Sequence, residues 1–166
     1  MTGILKQVSR SPGGLPKRAI TEPVMLSEAS VDGDAWRNSA IHGGQNKAVL
    51  MISAEFIDDL AVRGFPVFYG ALGENLTVSG LDPHLWRFGQ RYRVGQDAII
   101  ELTTMRTPCL NLDVYGPEIK SELYDARCNA GDITSPHWAH GGFYARVIRP
   151  GVIQAGDAVV LESDIA

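Results

Sequence analysis

The chain has 166 residues, 45% of them apolar and 20% charged, with a formal net charge of −4. These values fit one globular domain spanning 1–166 with a real core, and they argue against general nucleic-acid binding, which needs a basic face. Two cysteines are too few for a disulfide scaffold. The first residues lack a signal-peptide pattern, and no apolar run approaches the roughly 20 residues of a membrane span, so the expected setting is cytoplasmic and away from membranes.

A content of 18 glycines and 9 prolines predicts many tight turns and a β-rich domain. Ile4 to Val8 reads as a short strand, ended by the turn residues Ser11-Pro12-Gly13-Gly14-Leu15-Pro16. A loop follows from Asp32 to Asn46. Ala48 to Ile52 is a continuous apolar run of strand length, expected to be buried on both faces. Ser53 is a candidate N-cap for a helix that carries Phe56, Ile57 and Leu60 on one side and ends near Arg63.

Leu76-Thr77-Val78 forms the next strand, after the glycine turn Gly70-Ala71-Leu72-Gly73. Tyr92 to Val94 and Ala98 to Thr104 predict a strand pair joined at Gly95-Gln96-Asp97. Pro108 stops the second strand and biases Thr107 to extended backbone, which puts Cys109 at a strand end. Glu118 to Tyr124 is a short helix, and Phe143 to Ile148 and Ala158 to Leu161 are late strands. Strands at this spacing predict a barrel or sandwich. One internal echo stands out. Gly33-Asp34 precedes His42-Gly43-Gly44, and Gly131-Asp132 precedes His140-Gly141-Gly142 at the same spacing, either as a duplication within a barrel or as a coincidence of a glycine-rich chain.

Cys109 is the first candidate for chemistry. Arg106 lies three residues before it, and Arg146 can approach from a late strand. Nearby positive charge favours the thiolate, a soft ligand for a metal or a carrier of sulfur. The alternative is a buried structural cysteine. In His42-Gly43-Gly44-Gln45-Asn46-Lys47 the glycine backbone could cradle an anion, with His42, Asn46 and Lys47 adding donors. The same composition suits a polar turn. Glu74 and Asn75 could meet a heterocycle edge or instead satisfy backbone groups at their turn. His137 and His140 fit a polar loop better than a metal site. Cys128 is a structural or a resolving thiol. The phosphate-loop, dinucleotide and zinc-helix motifs are missing.

Together these segments resemble the MOSC family, the domain named for the C-terminus of molybdenum cofactor sulfurases. The resemblance runs in order through Gly33-Asp34, His42-Gly43-Gly44 to Val49, Gly73-Glu74-Asn75-Leu76, Arg106-Thr107-Pro108-Cys109, Gly142 to Val147 and Gly151 to Asp157. It implies a mainly β (α+β) fold, a barrel with a few peripheral short helices. It also implies that Cys109 is the family's functional cysteine and a metal ligand to molybdenum, with the molybdopterin-type cofactor held by His42, Gly44, Asn46, Lys47, Glu74, Asn75, Arg106 and Arg146. Some relatives reduce N-hydroxylated small molecules, and this would need an external electron donor. For others a persulfide or sulfur-carrier role with a cysteine desulfurase has been put forward. A non-catalytic module for small anions is the third reading. The chain departs from the reductive relatives at Thr104-Met105, where they usually carry Gln-Pro, and at Asn111, where a lysine is common.

Overall fold

The computed structural model describes residues 1–35 and 44–163. Ten strands are present: β1 (Thr2–Arg10), β2 (Arg18–Ile20), β3 (Val24–Leu26), β4 (Val49–Ser53), β5 (Leu76–Ser79), β6 (Arg91–Val94), β7 (Ala98–Met105), β8 (Phe143–Arg149), β9 (Gly151–Ile153) and β10 (Ala158–Ser163). Three short helices accompany them, α1 (Ala54–Val62), α2 (Ile119–Leu123) and α3 (Ala126–Asn129). The sheet runs β10-β6-β7-β8-β4-β5-β1-β2, and β10 also pairs with β1. Seven strands therefore close into a barrel, with β2 hanging from the far end of β1. Closure removes the exposed sheet edges that invite aggregation. All neighbours are antiparallel except β4 and β5, which α1 joins as a parallel pair. A separate ribbon pairs β3 with β9. The mainly β barrel with peripheral short helices is as the sequence predicts.

Two apolar cores share one wall. Inside the barrel pack Leu5, Met51, Leu76, Tyr92, Ile100, Leu102, Trp86, Trp138 and Phe143. Outside it, α1 and the chain after β7 build a second core around Ile52, Phe56, Ile57, Leu60, Leu72, Leu112 and Leu123. β4 is the shared wall. Val49 and Met51 point into the barrel, Leu50 and Ile52 into the second core. Alternation across a strand therefore buries both faces, which explains the unbroken apolar run. Each such side chain contributes roughly 1.5–3 kcal/mol on burial.

Local signals set the ends of these elements. Ser53 Oγ accepts from the Phe56 amide as the N-cap of α1. Gly142, at φ +83°, passes so close under β4 that a Cβ there would lie 2.4 Å from the Met51 carbonyl oxygen. Only glycine fits that crossing. The internal echo does not extend to structure. The Asp34 side chain is fully buried, whereas Asp132 sits in an exposed turn paired with Arg127. His42 and Gly43 lie outside the described residues. Among the described residues, no helix is long and apolar enough to cross a membrane.

His137 and His140 both aim Nδ1 at the Glu122 carbonyl in the last turn of α2, at 3.0 and 3.2 Å. His140 also stacks on Phe56, with ring centroids 4.2 Å apart. Burial pushes its pKa below the ordinary value, the Glu122 carbonyl opposes that shift, and His84 and His137 reinforce it. A depressed folded pKa means the neutral ring's contribution is fully present above the unfolded value of about 6.5 and is lost as pH falls through the folded value. Thermal melts across that range should show stability falling on the acid side. His140→Phe, which keeps the stack, should flatten the fall. An unchanged slope would exclude His140 as its source.

Candidate functional site

The site lies where β7 runs out. Arg106 extends the β7–β8 ladder by one bond, its amide donating to the Gly142 carbonyl at 2.9 Å. Pro108 then ends the strand. Cys109 keeps extended backbone at φ −109° and caps a 3-10 turn from Leu110 to Tyr115. Leu112 and Tyr115 of that turn are buried in the second core, and this fixes the cysteine. The thiol is half-buried and free. It opens into a cleft of roughly 660 Å³, part of it open to solvent, that is also lined by Gly14, Lys17, Lys47, Asn75, Arg106 and Tyr144.

Arg106 is the electrostatic centre. Its guanidinium is buried, and Nη2 donates to the Leu72 carbonyl at 3.0 Å. Nη1 is buried as well and finds no acceptor among the described residues. Burial pushes the guanidinium down, while Tyr144, Cys109 and Glu74 support its charge. Lys47 lies in a short 3-10 turn (Gln45–Lys47), with Nζ 5.2 Å from the centre of the Tyr144 ring. That contact holds a second cation over the cleft.

Asp34 and Asn75 hold the opposite wall. Asp34 Oδ2 accepts from Lys17 Nζ at 2.5 Å, from Asn75 Nδ2 at 2.9 Å and from Ser30 Oγ at 3.3 Å, while Oδ1 accepts from the Ser11 amide. Asn75 Nδ2 also donates to the Ser9 carbonyl, and its Oδ1 accepts from the Leu50 amide. Burial pushes the Lys17 pKa down and Asp34 resists that shift.

The structure brings Cys109, Arg106, Lys47 and Asn75 into one cleft. Asn75 has both amide hydrogens committed to protein acceptors, so it positions the wall rather than offering a donor. Two expected ligand contacts take other roles. Glu74 is wholly buried behind the cleft, where Oε1 accepts from the Gly70 amide at 2.5 Å and from Thr77 Oγ1. Burial pushes its carboxyl up, the Gly70 amide opposing. Arg146 sits on the barrel's outer face and pairs with Glu101 across β7 and β8, with its side chain 44% exposed. It does not line the cleft. Gly44 precedes the Lys47 turn and Asn46 lies within it; both are exposed, and the Asn46 carbonyl accepts from Thr103 Oγ1. His42 is outside the described residues. Cys128 is buried, donates to Ser135 Oγ at 3.3 Å, and has its pKa pushed up by burial.

Lys17 and Tyr144 are the site residues that sequence reasoning did not single out. The signal for Tyr144 was its alternation with Phe143 and Ala145, which sets it outside the barrel. Lys17 offered only its place after a Gly/Pro turn. Arg146→Ala should leave stability within about 1 kcal/mol, as exposed ion pairs do, and should leave ligand occupancy of the cleft unchanged. A loss of occupancy measured on purified protein would return Arg146 to the site.

The domain is a closed seven-stranded barrel with a free thiol in the same cleft as a buried guanidinium, one nitrogen of which has no acceptor among the described residues. The chain matches the family model of the MOSC domain over residues 38–160, and it belongs to that family. It is 30% identical over 147 residues to the uncharacterized protein YflK of Bacillus subtilis, covering 86% of this chain and 60% of that one. It is 28% identical over 146 residues to a protein named reductase from Gibberella moniliformis, covering 84% of this chain and 24% of that one. The chain therefore spans less than two thirds of either relative. The crystal structure of YiiM from Geobacillus stearothermophilus matches with a TM-score of 0.70 at 25% identity, over 98% of this chain and 76% of that one.

Proposed function

We propose that the cleft binds a molybdenum–pterin cofactor through Cys109 and that the protein serves the reduction of N-hydroxylated small molecules with electrons from an external donor. One observation carries this reading: Arg106 Nη1 is a buried cationic donor with no acceptor among the described residues, beside a free thiol in the same cleft. A buried unsatisfied donor costs about 1–3 kcal/mol, so a site that keeps one is built for an anionic partner. The donor set fits the group. The Cys109 thiolate is a soft ligand, and Arg106 and Lys47 would neutralise anionic oxygens through charge-assisted bonds. When bound, the cofactor supplies two-electron redox chemistry. The chain's own residues hold and orient it, and the apolar walls of Leu15, Leu50 and Leu72 exclude water from one side. The relative named reductase supports a redox role.

The test is elemental and pterin analysis of protein purified from a host that makes the cofactor. About one molybdenum per chain with a fluorescent pterin on oxidation is expected. Background levels of both would overturn the reading. The partial exposure of Cys109, in contrast to buried Cys128, favours a second reading as a sulfur carrier served by a cysteine desulfurase. Mass spectrometry after incubation with a desulfurase would then show one sulfur atom added at Cys109.

A further inference from the structure

We infer that Tyr144 and Arg106 form a paired donor site for an oxygen of an oxoanion seated against the Cys109 sulfur, with Tyr144 a ligand-contacting residue. The inference rests on the cleft being the ligand site. It adds a residue and a ligand class to that reading.

Tyr144 follows Phe143 on β8 and faces out of the barrel, opposite Leu50 on β4 and Thr104 on β7. The pairing of β7 with β8 shifts register between Leu102 and Thr104, and such irregularities re-aim side chains at functional sites. Thr103, at the shift, donates from Oγ1 to the Tyr144 carbonyl at 3.1 Å and also to the Asn46 carbonyl. One hydroxyl thus ties the tyrosine's backbone to the turn that carries Lys47. Lys47 in turn lies over the phenol ring. The ring lies under Lys47, and Tyr144 lines the cleft with Cys109 and Arg106.

Tyr144 is partly exposed in the cleft, and its hydroxyl makes no hydrogen bond among the described residues. Arg106 Nη1 is unpartnered in the same cleft. Burial pushes the Tyr144 phenol up, and Arg106 opposes that shift. A protonated phenol keeps an O–H to donate, although its oxygen can also accept. A charged and a neutral donor therefore line the cleft that holds Cys109. An oxoanion oxygen accepts from both at once. A cation or an apolar group would leave the buried Arg106 donor unsatisfied.

Iodoacetamide alkylation of Cys109, followed by mass spectrometry, tests the pair with molybdate as probe at constant ionic strength. Molybdate should protect the thiol in the wild-type protein. Tyr144→Phe keeps the ring under Lys47 and should raise the half-protecting concentration roughly tenfold or more, as loss of a bond to a charged acceptor does. Arg146→Ala, on the outer face, should match wild type. Molybdate should also perturb tyrosine absorbance in wild type and not in Tyr144→Phe. Equal protection in Tyr144→Phe, or none in wild type, overturns the inference. Tyrosine-dependent protection in a protein that never acquires molybdenum–pterin would sustain the donor pair while removing the cofactor reading.

Discussion

Asp34→Asn should lower stability by about 3–5 kcal/mol, the usual effect of removing one partner from a buried ion pair. The Asp34 side chain is fully buried and its two oxygens accept four bonds, from Lys17, Asn75, Ser30 and the Ser11 amide. An asparagine presents one oxygen and one NH₂ in the same place. Turned one way it faces the Lys17 ammonium with a donor, and turned the other way it faces the Ser11 amide with one. In both cases a buried donor loses its acceptor and the buried ammonium loses its counter-charge. For a chain of this length the melting temperature should fall by roughly 10 °C. Lys17→Met in the same chain should recover part of the loss, because the stranded charge is then gone. Urea midpoints of the two single variants and the double variant measure the coupling. Additive effects would mean that the pair is not the source of the cost.

This ion pair shows where the sequence was legible and where it was not. The apolar run of β4, the Ser53 cap, the β6–β7 hairpin and the Pro108 stop are local signals, and each element formed within a residue or two of its expected place. The pair β3–β9 is not local. Val24–Leu26 meets Gly151–Ile153 across most of the chain, and three-residue strands carry too little periodicity to announce themselves. Side-chain roles divide in the same way. Strand alternation puts Tyr144 and Arg146 on one face of β8, but what covers that face decides their fates. Lys47 lies over the Tyr144 ring, while Arg146 pairs with Glu101. Likewise, Glu74 and Asn75 read equally well as ligand donors or as turn braces until the Gly70 amide and Asp34 are seen to claim them. Lys17 was hidden because a lysine after a turn is ordinarily a solvated charge.

Cys109→Ser should abolish cofactor retention and leave the fold intact. The sulfur is half-buried at the mouth of the cleft, and the 3-10 turn after it is anchored by Leu112 and Tyr115 rather than by the thiol. Its replacement should therefore shift stability by no more than about 0.5 kcal/mol. A serine hydroxyl preserves shape but is a hard ligand that stays protonated at neutral pH, so a soft metal centre gains nothing from it. Loss of groups that merely orient metal ligands costs about 10–100-fold in affinity, and loss of the ligand itself should exceed that. Molybdenum and pterin content of the purified variant, measured beside its urea midpoint, gives both halves of the expectation. A variant that folds and still retains the full complement would assign binding to Arg106, Lys47 and the glycine backbone alone. The cleft would then be an anion-binding module, and the position of its cysteine would need another explanation.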